Sequence, residues 1–269
     1  MSTVKFGFIG AGNMGGALAR AVCKTVSANE VILADKSSSK VTALSNELGC
    51  SYANGNEVAE KAKFIFLGVK PQVMNSALQE IADTLKSRND RFVLISMAAG
   101  VEISAIEKML GFSAPIIRIM PNTPVRAGKG MILYTCSDAV FMDEVSEFCD
   151  ALKYAGRLDK IDEKLIDAAS AVSGCGPAFV YLFAEAMADA GVECGLPRNK
   201  ALEYASQTLS GAAELLLNSS KHPAALKDEV CSPGGSTIAG VHALEENGFR
   251  ASVMNAVTSA YQRTLELGK

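Results

Sequence analysis

A Gly-x-Gly-x-x-Gly stretch, Gly10-Ala11-Gly12-Asn13-Met14-Gly15, lies between an apolar run, Val4–Ile9, and a segment with helical apolar spacing, Met14–Val26. In a strand–turn–helix setting each glycine has a separate task. Gly10 permits the tight turn, Gly12 lets a pyrophosphate approach the backbone, and Gly15 lets the helix pack closely on the strand. The start of the helix offers free N–H groups and the positive end of its dipole to phosphates. The context, more than the glycines themselves, predicts a dinucleotide site. Asp35 closes the next apolar run, 20 residues beyond Gly15 (35 − 15). An acid there accepts ribose hydroxyls and favours NAD. Lys36, Ser37 and Ser38 follow at once and can hold the 2′-phosphate of NADP, so the sequence leaves NAD and NADP both open. A turn with an N-cap for the next helix accounts for the same residues with either cofactor.

The first half of the chain repeats this alternation. Val31–Ala34, Phe64–Leu67, Phe92–Ser96 and Ile116–Met120 join Val4–Ile9 as short buried strands, and Ser38–Leu48, Val73–Leu85 and Ile103–Leu110 join Met14–Val26 as helices. Such alternation builds a parallel sheet covered by helices. Open sheets of this kind bind ligands at the carboxyl ends of their strands. Gly68-Val69-Lys70-Pro71-Gln72 and Ser96-Met97-Ala98-Ala99-Gly100 fall at such ends. Their small residues let a cofactor ribose lie against the backbone, although either segment is equally a plain strand-to-helix turn.

From about residue 160 the β pattern stops. Lys164–Val172, Ala178–Ala190, Pro197–Leu217, Pro223–Val230 and Ser236–Leu267, interrupted near Gly248, all read as helices. The expected fold is α/β: an N-terminal Rossmann-type parallel sheet domain, residues 1–160, followed by an all-α domain, residues 161–269. Ala178–Ala184 (AFVYLFA) has little polar face, and a helix apolar all round must be buried on all sides. A five- or six-helix unit has trouble doing that alone, so a homodimer through the C-terminal helices is expected. The alternative is that this helix is the centre of the small domain.

Charge and composition narrow the class. Net charge is −3 and the Lys and Arg residues are scattered, which points away from nucleic-acid and membrane surfaces. Seven Cys, with no CxxC pair, suit reduced thiols in a cytoplasmic protein better than a disulfide framework. No metal site is expected. No uncharged stretch reaches the ~20 residues of a membrane span, and Val4–Ile9 is too short for a signal peptide core.

Four further stretches narrow the reading: Val69-Lys70-Pro71-Gln72, Arg118-Ile119-Met120-Pro121-Asn122-Thr123-Pro124, Ser173-Gly174-Cys175-Gly176-Pro177-Ala178-Phe179 and Asp228-Glu229-Val230-Cys231-Ser232-Pro233-Gly234-Gly235-Ser236-Thr237-Ile238. With the glycine loop, in this order and spacing, they resemble the pyrroline-5-carboxylate reductases, which perform the last step of proline synthesis. The resemblance runs from Phe6 to about Leu265. It implies a Rossmann domain, a helical domain that interlocks with a second chain, and in some members a higher assembly of dimers. It also implies cofactor contacts at Ile9, Gly10, Ala11, Gly12, Asn13 and Met14, at Lys36 beside the adenosine 2′ position, at Asn56, at Val69, Lys70 and Pro71, and at Ala98 and Ala99. The substrate, a cyclic imine carboxylate, would meet Val230, Ser232, Gly234, Gly235, Ser236 and Thr237, with Glu163 as a further contact. Glu229 departs from relatives that carry a neutral, cofactor-contacting residue there, and a glutamate would repel phosphates.

The reaction implied is hydride transfer from NAD(P)H to the ring carbon of the imine. The cofactor carries that step, and the protein supplies orientation and electrostatics. The site needs an anchor for the carboxylate and a hydrogen-bond partner at the ring nitrogen. Ser232–Thr237 offers both: glycines that expose N–H groups as a helix begins, and the Thr237 hydroxyl as the expected catalytic group. Read alone, the stretch is a helix N-cap. His222 and His242 sit in helical surroundings where structural or surface roles are expected. Three alternatives stand beside this reading. A β-hydroxyacid dehydrogenase would need a lysine where Val180 stands. A non-catalytic dinucleotide sensor would not need a carboxylate nest. A reductase of a related cyclic imine is separated by only about 1–3 kcal/mol per methylene.

Overall fold

The apolar runs of the first half become strands, and the computed structural model describes residues 4–267. The strands are β1 (Phe6–Ile9), β2 (Val31–Ala34), β3 (Ser51–Tyr52), β4 (Phe64–Leu67), β5 (Val93–Ser96), β6 (Ile116–Pro121), β7 (Gly130–Cys136) and β8 (Gly156–Lys160). They form one sheet in the order β3-β2-β1-β4-β5-β6-β7-β8. The strands from β3 to β6 run parallel, β7 is antiparallel to β6, and β8 is parallel to β7. Chain order reverses between β1 and β4, which opens a crevice outside their carboxyl ends.

Continuous apolar runs suit strands covered on both faces. On one face Phe6 and Phe8 stack on Phe64 and Phe66, with ring centroids 5.3 and 4.4 Å apart, as the β1–β4 register requires. On the other face Ile65 and Leu67 pack with Met74, Leu78, Ile81 and Leu85. The last four recur at intervals of four, three and four residues along one helix, which is why that segment is helical and which face it buries.

The covering helices are α1 (Asn13–Val22), α2 (Ser38–Leu48), α3 (Gly55–Lys61), α4 (Pro71–Ser87), α5 (Ile103–Leu110) and α6 (Met142–Leu152). Proline opens α4, where its missing N–H costs nothing. The Rossmann-type sheet expected from the sequence is therefore present, enlarged by β3, β7 and β8.

The rest of the chain is helical: α7 (Glu163–Ser173), α8 (Gly176–Glu193), α9 (Arg198–Leu217), α10 (Pro223–Val230), α11 (Ser236–Glu246) and α12 (Phe249–Leu267). Two compact units result, one running through Cys175 and taking in the chain from Ala260, the other Gly176–Ser259. Helix α7 thus belongs with the sheet unit. In the second unit α8 packs on α9, and Ala188, Ala201 and Ala205 are its buried apolar residues among those described. Large apolar side chains stand outside: Tyr181 is 63% exposed, Leu182 68%, Leu217 70% and Met254 69%. Glu163–Glu193 is long and apolar enough to cross a membrane by length and composition alone. A turn at Gly174–Cys175 divides it into α7 and α8.

Candidate dinucleotide and substrate sites

The glycine loop is a close junction of backbone on backbone. Gly10 has a φ of +102°, and a Cβ there would lie 2.5 Å from the carbonyl oxygen of Gly68. A Cβ on Gly15 would lie 2.0 Å from the oxygen of Gly10. The loops after β1 and β4 can therefore meet only through glycine. Gly12 is the opposite case: a Cβ there would meet nothing within 4 Å. It is the N-cap of α1, and no side chain caps that helix, so its first N–H groups have no side-chain partner among the described residues. Backbone N–H donors and room to reach them are what a pyrophosphate requires.

Beside the loop lies a cavity of about 370 Å³ lined by Ile9, Gly10, Gly12, Asp35, Lys36 and Val69 of the expected cofactor contacts. Asn54, Gly55, Val73 and Ala77 complete much of its wall. Its size and mixed lining fit an adenosine. Asp35 does not present a free carboxylate there. Its Oδ2 accepts the Ala11 N–H and its Oδ1 the Ser37 N–H, each at 2.8 Å. Lys36 lines the cavity and its side chain has no partner among the described residues.

Asn56 does not line this cavity; its Oδ1 accepts from the Thr84 hydroxyl at 2.8 Å. Asn54 stands there instead, capping α3 by accepting the Glu57 N–H at 2.9 Å. Asparagine is a favoured N-cap residue, and a glutamate three positions on, Glu57, strengthens that signal in the sequence. Ala11, Asn13 and Lys70 border a neighbouring groove that shares Gly12. Met14 and Gly15 lie in the first turn of α1, and Pro71 opens α4. Ala98 is fully buried after β5, and Ala99 packs against Met120, Leu133 and Ile166.

In the helical unit the chain from Val230 to Thr237 links α10 to α11. Ser232 accepts the Gly235 N–H at 3.0 Å and closes a turn in which Gly234 has a φ of +68°. A Cβ on Gly235 would lie 2.3 Å from the Ser232 hydroxyl oxygen and 3.1 Å from its carbonyl oxygen, so a larger residue there would turn the Ser232 side chain aside. Gly235 is the N-cap of α11 and no side chain caps that helix. The first N–H groups of α11 therefore point outward beside the hydroxyls of Ser232, Ser236 and Thr237, none of which bonds within the described chain. The turn is exposed, and uncapped N–H groups with hydroxyls beside them are the donor chemistry that a carboxylate requires. Glu229 is drawn away to Lys221, whose Nζ lies 2.5 Å from its carboxylate. His222 caps α10 through Nδ1, and His242 is exposed on α11.

Comparison with known proteins decides between the readings these sites allow. A family model described as pyrroline-5-carboxylate reductase dimerisation matches residues 163–267, and one described as NADP oxidoreductase, coenzyme F420-dependent, matches residues 5–100. Pyrroline-5-carboxylate reductase of Escherichia coli is 40% identical over 98% of both chains. Pyrroline-5-carboxylate reductase 3 of Danio rerio is 40% identical over 98% of this chain and 92% of its own. The chain belongs to the pyrroline-5-carboxylate reductase family. Among solved structures, the Plasmodium falciparum pyrroline carboxylate reductase with NADP bound superposes with a TM-score of 0.89 at 34% identity, covering 100% of each chain. The Streptococcus pyogenes reductase gives 0.88 at 31% identity, covering 99% of this chain and 100% of its own.

For a member of this family, Glu163 has an unexpected set of contacts. Its Oε1 accepts the Ile103 N–H at 2.8 Å, at the start of α5, and lies 3.3 Å from Arg118 Nη1. Arg118, fully buried in β6, also reaches Asp167 of α7 at 2.7 Å. One guanidinium thus ties α7 to the sheet, while its Nε has no partner among the described residues. Asn122 does similar work: its amide donates to Ser173 at 2.9 Å and its Oδ1 accepts the Met131 N–H at 2.9 Å. These residues of the Arg118–Pro124 motif hold the frame. Arg118 was visible in the sequence as a lone charge inside an apolar run, a pattern that signals a buried ion pair.

Proposed function

We propose that this chain reduces 1-pyrroline-5-carboxylate to L-proline with NAD(P)H, the last step of proline biosynthesis, using the glycine cradle for cofactor and the Val230–Thr237 turn for substrate. The observation that carries the substrate side is the uncapped start of α11, with its donors directed outward beside three unpartnered hydroxyls. The substrate carboxylate accepts the backbone N–H groups that follow Gly234 and Gly235, and Ser232 and Ser236 add hydroxyl donors. Val230, 65% exposed, gives the ring an apolar surface. Thr237 is the catalytic residue: its hydroxyl bonds the ring nitrogen as that nitrogen gains electron density. Glu163 acts through the frame it ties to Arg118 and α5, and only indirectly on substrate.

The bound cofactor supplies the hydride. The chain's own part is to hold the pyrophosphate at Gly10–Gly15, the adenosine among Ile9, Lys36 and Val69, and the remaining ribose along Lys70, Pro71, Ala98 and Ala99. Both cofactors are accepted, with NADPH favoured. Asp35 is occupied by two backbone N–H groups, which weakens the usual acid-to-ribose recognition of NAD. Lys36 carries a free positive charge at the same strand end.

Residues 1–160 form the cofactor part and residues 161–269 the substrate and dimerisation part. The exposed apolar faces of α8 to α12 are covered by the same helices of a second chain, in a cytoplasmic homodimer that assembles further into higher oligomers. A helical unit whose buried apolar residues are alanines lacks a core of its own. Imine-dependent oxidation of NADPH tests the activity.

A further inference from the structure

On the far side of the glycine loop from the adenosine cavity lies a larger groove of about 940 Å³. Arg20 of α1, Lys24 of the turn that follows it, Lys40 of α2, Lys70 and Arg126 all border it, against one carboxylate, Glu47. The chain as a whole carries a net charge of −3, so this concentration of cations runs against its overall balance. Glu47 is already engaged, bound through both oxygens by Arg20 at 2.7 and 2.6 Å and held below the usual carboxylate range by that bond. The side chains of Lys24, Lys40, Lys70 and Arg126 have no partner among the described residues.

Placement near the C-terminus of α1 explains Arg20 and Lys24, since cations favour the negative end of a helix. It does not explain Lys40 or Arg126, which come from other elements and converge on the same space. Nor is the groove the adenosine cavity again. The two share Gly12, and the groove then follows α1 for roughly 15 Å, away from the strand ends. Leu44 and Tyr154 add apolar surface along it.

We propose that this groove binds a small molecule bearing a chain of phosphates, and that its occupant competes with the dinucleotide at Gly12, Asn13 and Lys70. This rests on the glycine loop being the pyrophosphate site. Inorganic polyphosphate and the phosphate tail of a nucleoside triphosphate share the chemistry. A groove of this size accepts either.

The test is isothermal titration of the purified full chain with inorganic tripolyphosphate and, separately, with adenosine triphosphate, at low and high salt. Binding that weakens as salt rises is expected. Lys24→Glu with Lys40→Glu should raise the tripolyphosphate Kd about tenfold or more by reversing two charges on the groove. Both lysines are exposed, so the fold should survive, and Lys24→Gln with Lys40→Gln gives a milder form of the same shift. Without phosphates present, the NADPH KM of the double variant should stay within about twofold of wild type, because neither lysine lines the adenosine cavity. Equal affinity for the two ligands would assign the site to the phosphate chain alone, and tighter nucleotide binding would assign it to a nucleotide. No binding at millimolar ligand, or binding untouched by both double variants, would overturn the proposal. So would loss of tripolyphosphate binding in Lys36→Ala, which would place the ligand in the adenosine cavity. If NADPH binding fails in the wild type, the reading of the glycine loop fails first and separately.

Discussion

Asp35 Oδ2 accepts the backbone N–H of Ala11 at 2.8 Å, so the acid at the end of β2 braces the glycine loop from below. The relationship changes what that acid does in cofactor choice. If its role is to hold the loop, Asp35→Ala should weaken NADPH and NADH to a similar degree. Recognition of the ribose hydroxyls by Asp35 would show instead as a selective loss of NADH. Lys36→Ala should raise the NADPH KM about tenfold, the scale of one hydrogen bond to a charged group, and leave the NADH KM near wild type. Steady-state kinetics with both cofactors separates these outcomes; an equal effect of Lys36→Ala on both would remove Lys36 from the 2′-phosphate site.

Two glycines of the same loop should respond in opposite ways. Gly12→Val adds atoms to open space, so the chain should fold with an unchanged melting temperature and fail to bind NADPH. Gly15→Ala drives a methyl group to 2.0 Å from the Gly10 oxygen, and the backbone must move apart. Overpacking of that kind costs about 1–3 kcal/mol or more, and the melting temperature should fall accordingly. Thermal melts paired with NADPH calorimetry check both. Full NADPH affinity in a folded Gly12→Val chain would place the pyrophosphate elsewhere.

Much of this was readable from residues alone, and the misses have physical causes. Ser38–Leu48 and Ile103–Leu110 are helices over the residues the sequence predicts, because apolar periodicity and a following glycine agree at both. β3 has only two residues and β8 (GRLDK) is a charged edge strand, so neither carries an apolar run. β7 (GMILYTC) does carry one, and that signal was available. α3 (GNEVAEK) buries only Val58 and Ala59, too little for a period to show. At the site, the motif positions were legible and the direction of side chains was not. Asn56 turns to Thr84 and Glu163 to Arg118, partners 28 and 45 residues away, and no local pattern reveals such distant contacts.

The helical half should not stand as a monomer. Light scattering at micromolar concentration should report a dimer or larger. Leu182→Glu, at a side chain 68% exposed in the single chain, should leave helix content intact and shift the protein toward smaller species. A stable, active monomer of the wild-type chain would contradict the second-copy account of the exposed apolar faces.

Thr237 is the residue whose removal should touch the chemistry alone. If its hydroxyl bonds the ring nitrogen as proposed, more strongly in the transition state than in the ground state, turnover should fall more than binding. A bond of that kind supports a loss of roughly tenfold to a hundredfold in turnover for Thr237→Ala. Cofactor affinity should not change, and Thr237→Ser should recover much of the rate. Wild-type turnover in Thr237→Ala would rule out the assignment, whereas an equal loss in the Ser variant would implicate the methyl group or the helix start.

The central claim is tested most directly by following NADPH absorbance as the purified chain meets pyrroline-5-carboxylate, its six-membered homologue and a β-hydroxyacid, with proline quantified at the end. The account predicts oxidation of NADPH that depends on the five-membered imine and yields one proline per NADPH consumed. No rate above the imine-free control, or turnover confined to either of the other compounds, would contradict it.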